Sequence, residues 1–258
     1  MTGDLVSLRV LIVSAAMHDR DTWRMGAGAM SVPIDVVEAG SATTAAGLVA
    51  HGDVDVVLID SRIAAAERTK LLATARSTKP PPFVFLVAAS DDEVAALASE
   101  TKVDGVVRKP ATPNEAKGLL DRCGQLRLPR RILLVDDSAT MRGIVRKILT
   151  ASRFQLEVSE AEEGFDALKQ VRSGKFDLVI LDYNLPGLNG IETLSEIKRE
   201  FPRIEVVMIT STLDEEVAKK ARMIGAAAFL RKPFYPSDLD AVLHKVLGLG
   251  AAPEAEPN

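Results

Sequence analysis

Cysteine occurs once in the 258 residues, at Cys123. One thiol cannot build a disulfide framework or a cysteine-rich zinc site. Long apolar runs are lacking too, since none approaches the roughly 18 residues of a membrane span. The start, Met1-Thr-Gly-Asp-Leu5, has no basic stretch leading into an apolar core, so no secretory signal is read there. Charge of one sign is not in excess. The chain carries 32 Lys+Arg against 36 Asp+Glu, a net of −4, which argues against a sequence-independent nucleic-acid binder and its basic footprint. Cut at Gln125, it has 13 basic and 16 acidic residues before the cut and 19 and 20 after it. Neither half is a basic arm or an acidic tail. What is present is 47% apolar and 26% charged residues, the composition of packed domains and not of disordered chain. These features predict a soluble chain of a reducing cytosol, with no membrane and no nucleic-acid partner.

The chain repeats itself. Arg9-Val-Leu-Ile-Val13 recurs as Arg131-Ile-Leu-Leu-Val135, Asp55-Val-Val-Leu-Ile-Asp60 as Asp177-Leu-Val-Ile-Leu-Asp182, and Val106-Val-Arg-Lys-Pro110 as Phe229-Leu-Arg-Lys-Pro233. The order is the same and the offsets are 122, 122 and 123. Solenoid repeats have periods of roughly 20–50 residues, so this is a duplicated domain. The joint, Gly124-Gln-Leu-Arg-Leu-Pro129, has no flexible Gly/Ser run, which predicts copies in contact rather than tethered beads.

Within each copy, short Val/Ile/Leu runs alternate with amphipathic ones. Strands are predicted near 131–135, 155–160, 177–181, 204–209 and 227–230, and helices near 139–151, 163–172, 191–200, 214–224 and 236–247, with Ser237 as the cap of the last. The first copy reads as strands near 9–13, 32–38, 54–59, 83–87 and 104–108. Its first helix, near 18–29, is interrupted by Gly26 and Gly28. Five βα units in a row predict an α/β fold, a doubly wound parallel sheet with helices on both faces.

Ligands of such sheets lie at the carboxyl ends of the strands. In the second copy those ends carry Asp136-Asp137, Asp182, Thr210 and Lys232-Pro233. Three carboxylates at close quarters repel unless a cation sits among them. Oxygen-only ligation without His or Cys suits Mg²⁺. A carboxylate can also act as a nucleophile toward phosphorus, with a cation and a Lys stabilising the transferring phosphoryl group.

The second copy resembles the response-regulator receiver domains of bacterial two-component signalling, of the chemotaxis-regulator type. The resemblance covers about Arg131 to Leu247. It rests on Leu133-Leu-Val-Asp-Asp-Ser138, Leu181-Asp-Tyr-Asn-Leu-Pro-Gly187, Thr210 and Phe229-Leu-Arg-Lys-Pro233. It implies two flavodoxin-like (βα)5 domains with five-stranded parallel sheets of order 2-1-3-4-5. The expected bounds are 1–124 for a degenerate receiver, 125–130 for a linker, 131–248 for a phosphorylatable receiver and 249–258 for a disordered tail. It further implies Asp182 as phosphoacceptor, with Asp137, Asp182 and the backbone carbonyl of Asn184 on Mg²⁺ and Asp136 acting largely through water. Lys232, before a proline bond usually cis in the family, would pair with the phosphoryl group. Thr210 and Phe229 match the switch positions, and Asn184 and Thr212 match positions that tune phosphoryl lifetime. The implied partners are a sensor histidine kinase or phosphotransfer protein upstream and a signalling protein downstream. The protein would be a phosphoacceptor rather than an enzyme.

The first copy departs from this pattern. Asp60 and Lys109-Pro110 are kept, but Ser14-Ala15 replaces the acidic pair, Ala88 the Thr and Val106 the aromatic. It reads as a pseudo-receiver that serves as a docking or homodimerisation adaptor. Asp60 and Lys109 are expected to form a plain ion pair. His18, Asp19 and Asp21 are read as a solvated loop or helix start, His244 as a solvated helix residue, Cys123 as an apolar filler and Trp23 as core or contact. Two other readings rank lower. A haloacid-dehalogenase-type phosphatase needs an Asp where Asn184 stands, and a purely structural dimer module leaves the acid triad unexplained.

Overall fold

The protein is described here from a computed structural model over residues 8–30, 34–97, 103–211 and 215–248. It divides into two compact units, one ending at Arg127 and the other running from Leu128 to Val246. The first holds β1 (Leu8–Val13), α1 (Met17–Gly28), β2 (Ile34–Ala39), α2 (Ala42–Ala50), β3 (Val56–Asp60), α3 (Ala65–Ser77), β4 (Phe83–Ala88), α4 (Asp91–Leu97), β5 (Gly105–Arg108) and α5 (Pro113–Gln125). The second holds β6 (Arg130–Val135), α6 (Ala139–Thr150), β7 (Leu156–Ala161), α7 (Gly164–Ser173), β8 (Leu178–Asp182), α8 (Gly190–Glu200), β9 (Glu205–Thr210), α9 (Glu215–Ile224), β10 (Ala228–Arg231) and α10 (Pro236–Leu247).

Each unit has one five-stranded sheet. The orders are β2-β1-β3-β4-β5 and, read from the same side, β7-β6-β8-β9-β10, with every pair parallel. This is the order 2-1-3-4-5 in both units. A central parallel strand has helices on both faces, so it must be apolar throughout rather than alternating. β3 and β8 meet this demand and are buried at every residue. In the second unit Leu133, Val135, Val179, Leu181, Val206 and Met208 pack one face of the sheet on α7, α8 and α9. The first unit packs Leu11, Val13, Val57, Ile59, Val84 and Leu86 on α2 and α3 in the same way.

The first helix departs from expectation. Gly26 does not interrupt it: α1 is continuous, and Gly26 is where it crosses α5. A Cβ there would stand 2.8 Å from Ala116 Cβ, Lys117 N and Pro113 O. Ser237 is also not a cap. It lies inside α10, and the cap is made by Asp238, whose Oδ2 accepts the Tyr235 N–H at 2.8 Å. Other element ends move by one or two residues, within the usual uncertainty of helix and strand ends. Residues 32–33, Thr212, Leu213 and Asp214, and the tail 249–258 lie outside the described residues. Among the described residues no helix is long and apolar enough to cross a membrane.

One glycine ties the fold to its carboxylate edge. A Cβ on Gly190 would stand 2.4 Å from the Asp182 carbonyl oxygen and 2.7 Å from Tyr183 Cα, both backbone atoms that cannot rotate away. Gly190→Ala is expected to destabilise the second unit by about 1–3 kcal/mol, the usual cost of overpacking. Denaturant unfolding measures this, and a wild-type midpoint would show that the α8 start gives way freely.

Candidate functional site

Parallel alignment brings the ends of β6, β8, β9 and β10 to one edge of the second sheet. Asp136 and Asp137 follow β6, Asp182 and Thr210 end β8 and β9, and Lys232 follows β10. Asp136, Asp182 and Thr210 are buried, and Asp137 is exposed. One carboxylate oxygen from each of Asp136, Asp137 and Asp182 lies within 4.8 Å of the others. Lys232 Nζ stands 2.8 Å from Asp136 Oδ2 and 3.1 Å from Asp182 Oδ1.

The charges do not balance. Three carboxylates face one ammonium, two of them buried and Asp137 exposed. Burial pushes the Asp182 carboxyl above its ordinary range, and Lys232 only partly offsets this. Burial also works against the Lys232 charge, but Asp136 and Asp182 outweigh it and hold the ammonium above its usual pKa. No aligned hydrogen bond reaches the buried Asp182 Oδ1. An all-oxygen donor set with excess negative charge and an under-satisfied carboxylate fits a hard divalent cation.

The remaining predicted residues surround this cluster. Asn184 is exposed two residues after Asp182, and its Nδ2 donates to Ser211 Oγ at 3.3 Å. Thr210 continues the alternation of Val206 and Met208, which places it on the sheet face that Phe229 also packs against. Phe229 is half-buried with the Arg222 guanidinium 5.3 Å from its ring centre. The Lys232–Pro233 peptide is cis.

Arg142 escaped the sequence reading. Its buried guanidinium donates Nη1 to the Asp136 carbonyl at 2.7 Å and pairs with Glu160 at 3.0 Å and Glu162 at 2.5 Å. The first unit repeats this clamp. Arg20 Nη1 donates to the Ser14 carbonyl at 2.5 Å, and Arg20 Nε lies 3.4 Å from Glu38. Arg20 and Arg142, like Glu38 and Glu160, are 122 residues apart. That shared offset is the sequence signal for the clamp.

The same edge of the first unit is built differently. The expected plain Asp60–Lys109 pair is a larger cluster. Asp60 is buried, and Arg62 grips both its oxygens, Nε to Oδ1 at 2.9 Å and Nη2 to Oδ2 at 2.6 Å. Lys109 Nζ lies 3.6 Å from Asp60 Oδ2 and contacts Asp19 directly. Asp19 stands at a helix start, as expected, but its carboxylate is not solvated. It sits in the first turn of α1 with its carboxylate turned back to Lys109, to Arg62 at 2.5 Å and to Ser14 Oγ at 3.1 Å. Ser14 Oγ is also 3.1 Å from Asp60 Oδ2. Burial pushes the Asp60 carboxyl upward, but the Arg62 hydrogen bonds and the charges of Arg62 and Lys109 outweigh it and hold its pKa at about 2.

Of the other residues singled out, Trp23 is buried, and so is Cys123, whose thiol burial pushes up to about 12. An unreactive thiol of this kind serves as packing. His244 is not solvated as expected. Its ring centre stands 5.1 Å from that of Phe154, and Nε2 lies 3.0 Å from Arg153 and 3.5 Å from Asp240.

The response regulator receiver domain profile matches residues 132–244, inside the second unit. Chemotaxis protein CheY-3 of Vibrio cholerae is 36% identical over 118 residues, which are 45% of this chain and 90% of the relative. Chemotaxis protein CheY of Halobacterium salinarum is 40% identical over 116 residues, 45% of this chain and 95% of the relative. The solved structure of chemotaxis response regulator CheY4 of Vibrio cholerae covers 46% of this chain and 99% of its own, at 29% identity and a TM-score of 0.43. A profile match on the half that carries the acidic edge, together with relatives aligned along nine-tenths or more of their own length, shows that the chain belongs to the response-regulator receiver family.

Proposed function

We propose that the second unit is a Mg²⁺-dependent phosphoryl acceptor whose acceptor is Asp182. The observation that carries this reading is the buried Asp182 carboxylate beside Lys232, in a cluster of three carboxylates with one ammonium. Asp137, Asp182 and the Asn184 carbonyl would hold the ion directly, and Asp136 through water. The bound ion supplies charge neutralisation for the incoming phosphoryl group.

The chain's own residues do the rest. An Asp182 oxygen forms the bond to phosphorus while the phosphorus–nitrogen bond of a donor phosphohistidine breaks. The imidazole leaves with the electron pair and takes up a proton, and an acyl phosphate remains on Asp182. Lys232, released from its share of the Asp182 charge, pairs with a phosphoryl oxygen. Thr210 turns its hydroxyl toward that group, and Phe229, on the same sheet face, moves into the space vacated. The surface of α9, β10 and α10 then changes, and a protein partner reads it.

In this reading a sensor histidine kinase or phosphotransfer protein acts upstream, and the output is contact with a downstream signalling protein in the cytoplasm. The first unit serves as a docking or dimerisation adaptor without phosphoryl chemistry. The chain is a phosphoacceptor that assists its own phosphorylation and dephosphorylation rather than a turnover enzyme.

Mass spectrometry after incubation with Mg²⁺ and acetyl phosphate tests the acceptor. One base-labile phosphoryl group is expected on Asp182 and none on Asp182→Asn. Lys232→Ala should slow labelling on the order of 100-fold, as for loss of one preorganised charge-stabilising donor. Label on Asp60 instead would overturn the assignment.

Asp182 also makes a stability prediction. A carboxyl whose folded-state pKa is raised contributes stability below the ordinary carboxylate range and loses it as pH rises through the folded value. At neutral pH in cation-free buffer, Asp182→Asn is therefore expected to raise the melting temperature of the second unit by a few degrees. A lower melting temperature would show that the Lys232 pair outweighs the burial cost.

A further inference from the structure

We infer that Arg62 is a resident cation of the first unit: its guanidinium takes the place at the carboxylate edge that a divalent ion takes in the second, making this edge a metal-independent ionic lock. The inference rests on the cation reading of the second unit and on three observations about the first.

The first observation is position. Arg62 follows Asp60 by two residues, as Asn184 follows Asp182. Where the second unit offers a neutral residue with a backbone carbonyl, the first carries a guanidinium on a long arm. That arm folds back over the acceptor-equivalent carboxylate and engages both its oxygens. Bidentate guanidinium–carboxylate pairing occupies the oxygens that a metal would need.

The second is charge balance. The carboxylates in contact in the first unit are Asp19 and Asp60, and the cations touching them are Arg62 and Lys109. Two negative charges meet two positive ones. In the second unit three carboxylates meet one ammonium. The Arg20–Glu38 and Arg142–Glu160 clamps occur in both and cancel from the comparison. Among the groups in contact, the second edge lacks two positive charges and the first lacks none; Glu93 stands near enough to act on Asp60 and Arg62, but its carboxylate is taken up by the Ala89 N–H at 2.7 Å.

The third is space. Ala15 and Ala16 line a cleft of about 400 Å³ with Asp60 and Arg62, and Glu67 of α3 also lines it. A carboxylate restored at position 15 therefore has room, and the loss of ion binding in the first unit does not come from collapse of the edge. Asp19, rising from the first turn of α1, is a new acid inside the lock and not a replacement ligand. Its oxygen is already engaged by Lys109, Arg62 and Ser14.

A unit locked in this way holds one state whatever the supply of Mg²⁺ or phosphoryl donor. Mn²⁺ is the probe, an oxygen-seeking ion whose free form is counted by electron paramagnetic resonance. The full chain is expected to bind one Mn²⁺, and Asp137→Ala/Asp182→Asn none. Failure of that first arm sinks the cation reading of the second unit but leaves the next arm to be read. In the Asp137→Ala/Asp182→Asn background, adding Arg62→Asn and Ala15→Asp should gain one Mn²⁺ and make the thermal transition of the first unit rise with added Mn²⁺. Adding Arg62→Lys and Ala15→Asp should gain none. A folded Arg62→Asn/Ala15→Asp chain that binds no Mn²⁺ overturns the lock.

Single variants of the otherwise unaltered chain decide the matter if that chain does not fold. Arg62→Gln should lower the first unit's thermal transition more than Arg62→Lys. Equal transitions mean that the guanidinium charge is not what holds the edge.

Discussion

Carboxylates that end buried parallel strands must find positive charge where they stand, because they have little access to water. The sheet sets this constraint. β3 and β8 are buried along their whole length and each finishes on an aspartate, Asp60 and Asp182. A lone ionised carboxylate there would be costly, since burial disfavours the charged form. Both units begin the answer in the same way, with a lysine after the last strand, Lys109 or Lys232. They finish it differently. The first adds a guanidinium together with one more carboxylate, Asp19, and these contacting groups are neutral. The second adds two more carboxylates and is left short of positive charge. One fold thus yields an edge that is complete in itself and an edge that calls for something from solution.

Much of this was legible without coordinates, because strand-end chemistry is written in contiguous residues. Asp136-Asp137, Asp182, Thr210 and Lys232 each close an apolar run, and parallel pairing then gathers them. What was not legible depends on long side chains crossing between elements. Arg62 reaches Asp60 and Asp19, and Lys109 reaches an acid 90 residues away. Charge alone does not tell a solvated Asp19 from one turned inward. The clash-free crossing at Gly26 was missed for a related reason. A glycine reads as a helix breaker by propensity, whereas here tertiary contact with α5 demands it. His244 looked solvated because its neighbour Phe154 is 90 residues back along the chain.

The Arg20 and Arg142 clamps show how far scaffold and chemistry separate. Each holds the carbonyl just beyond the first strand of its unit, and each is anchored by a glutamate on the next strand in the sheet. The clamp survives where the acid pair beside it has become Ser14-Ala15. Its task is therefore to fix the loop after the strand, which the fold needs whether or not a ligand arrives. Conversely, a change of four side chains, at the positions of Ser14, Ala15, Asp19 and Arg62, accounts for the change in charge at the edge without any change in sheet order.

The crossing of α1 and α5 has a mechanical consequence. With backbone and Cβ atoms of α5 within 3 Å of where any side chain on Gly26 would begin, the two helices interlock like a notch and a tooth. Neither can slide or roll on the other without first parting. α1 starts at the loop that carries Ser14 and Ala15, and α5 starts just beyond Lys109-Pro110. The two chain segments that deliver Asp19 and Lys109 to one another are thus the ends of a single stiff body, and force applied to the outer surface of either helix is borne by both.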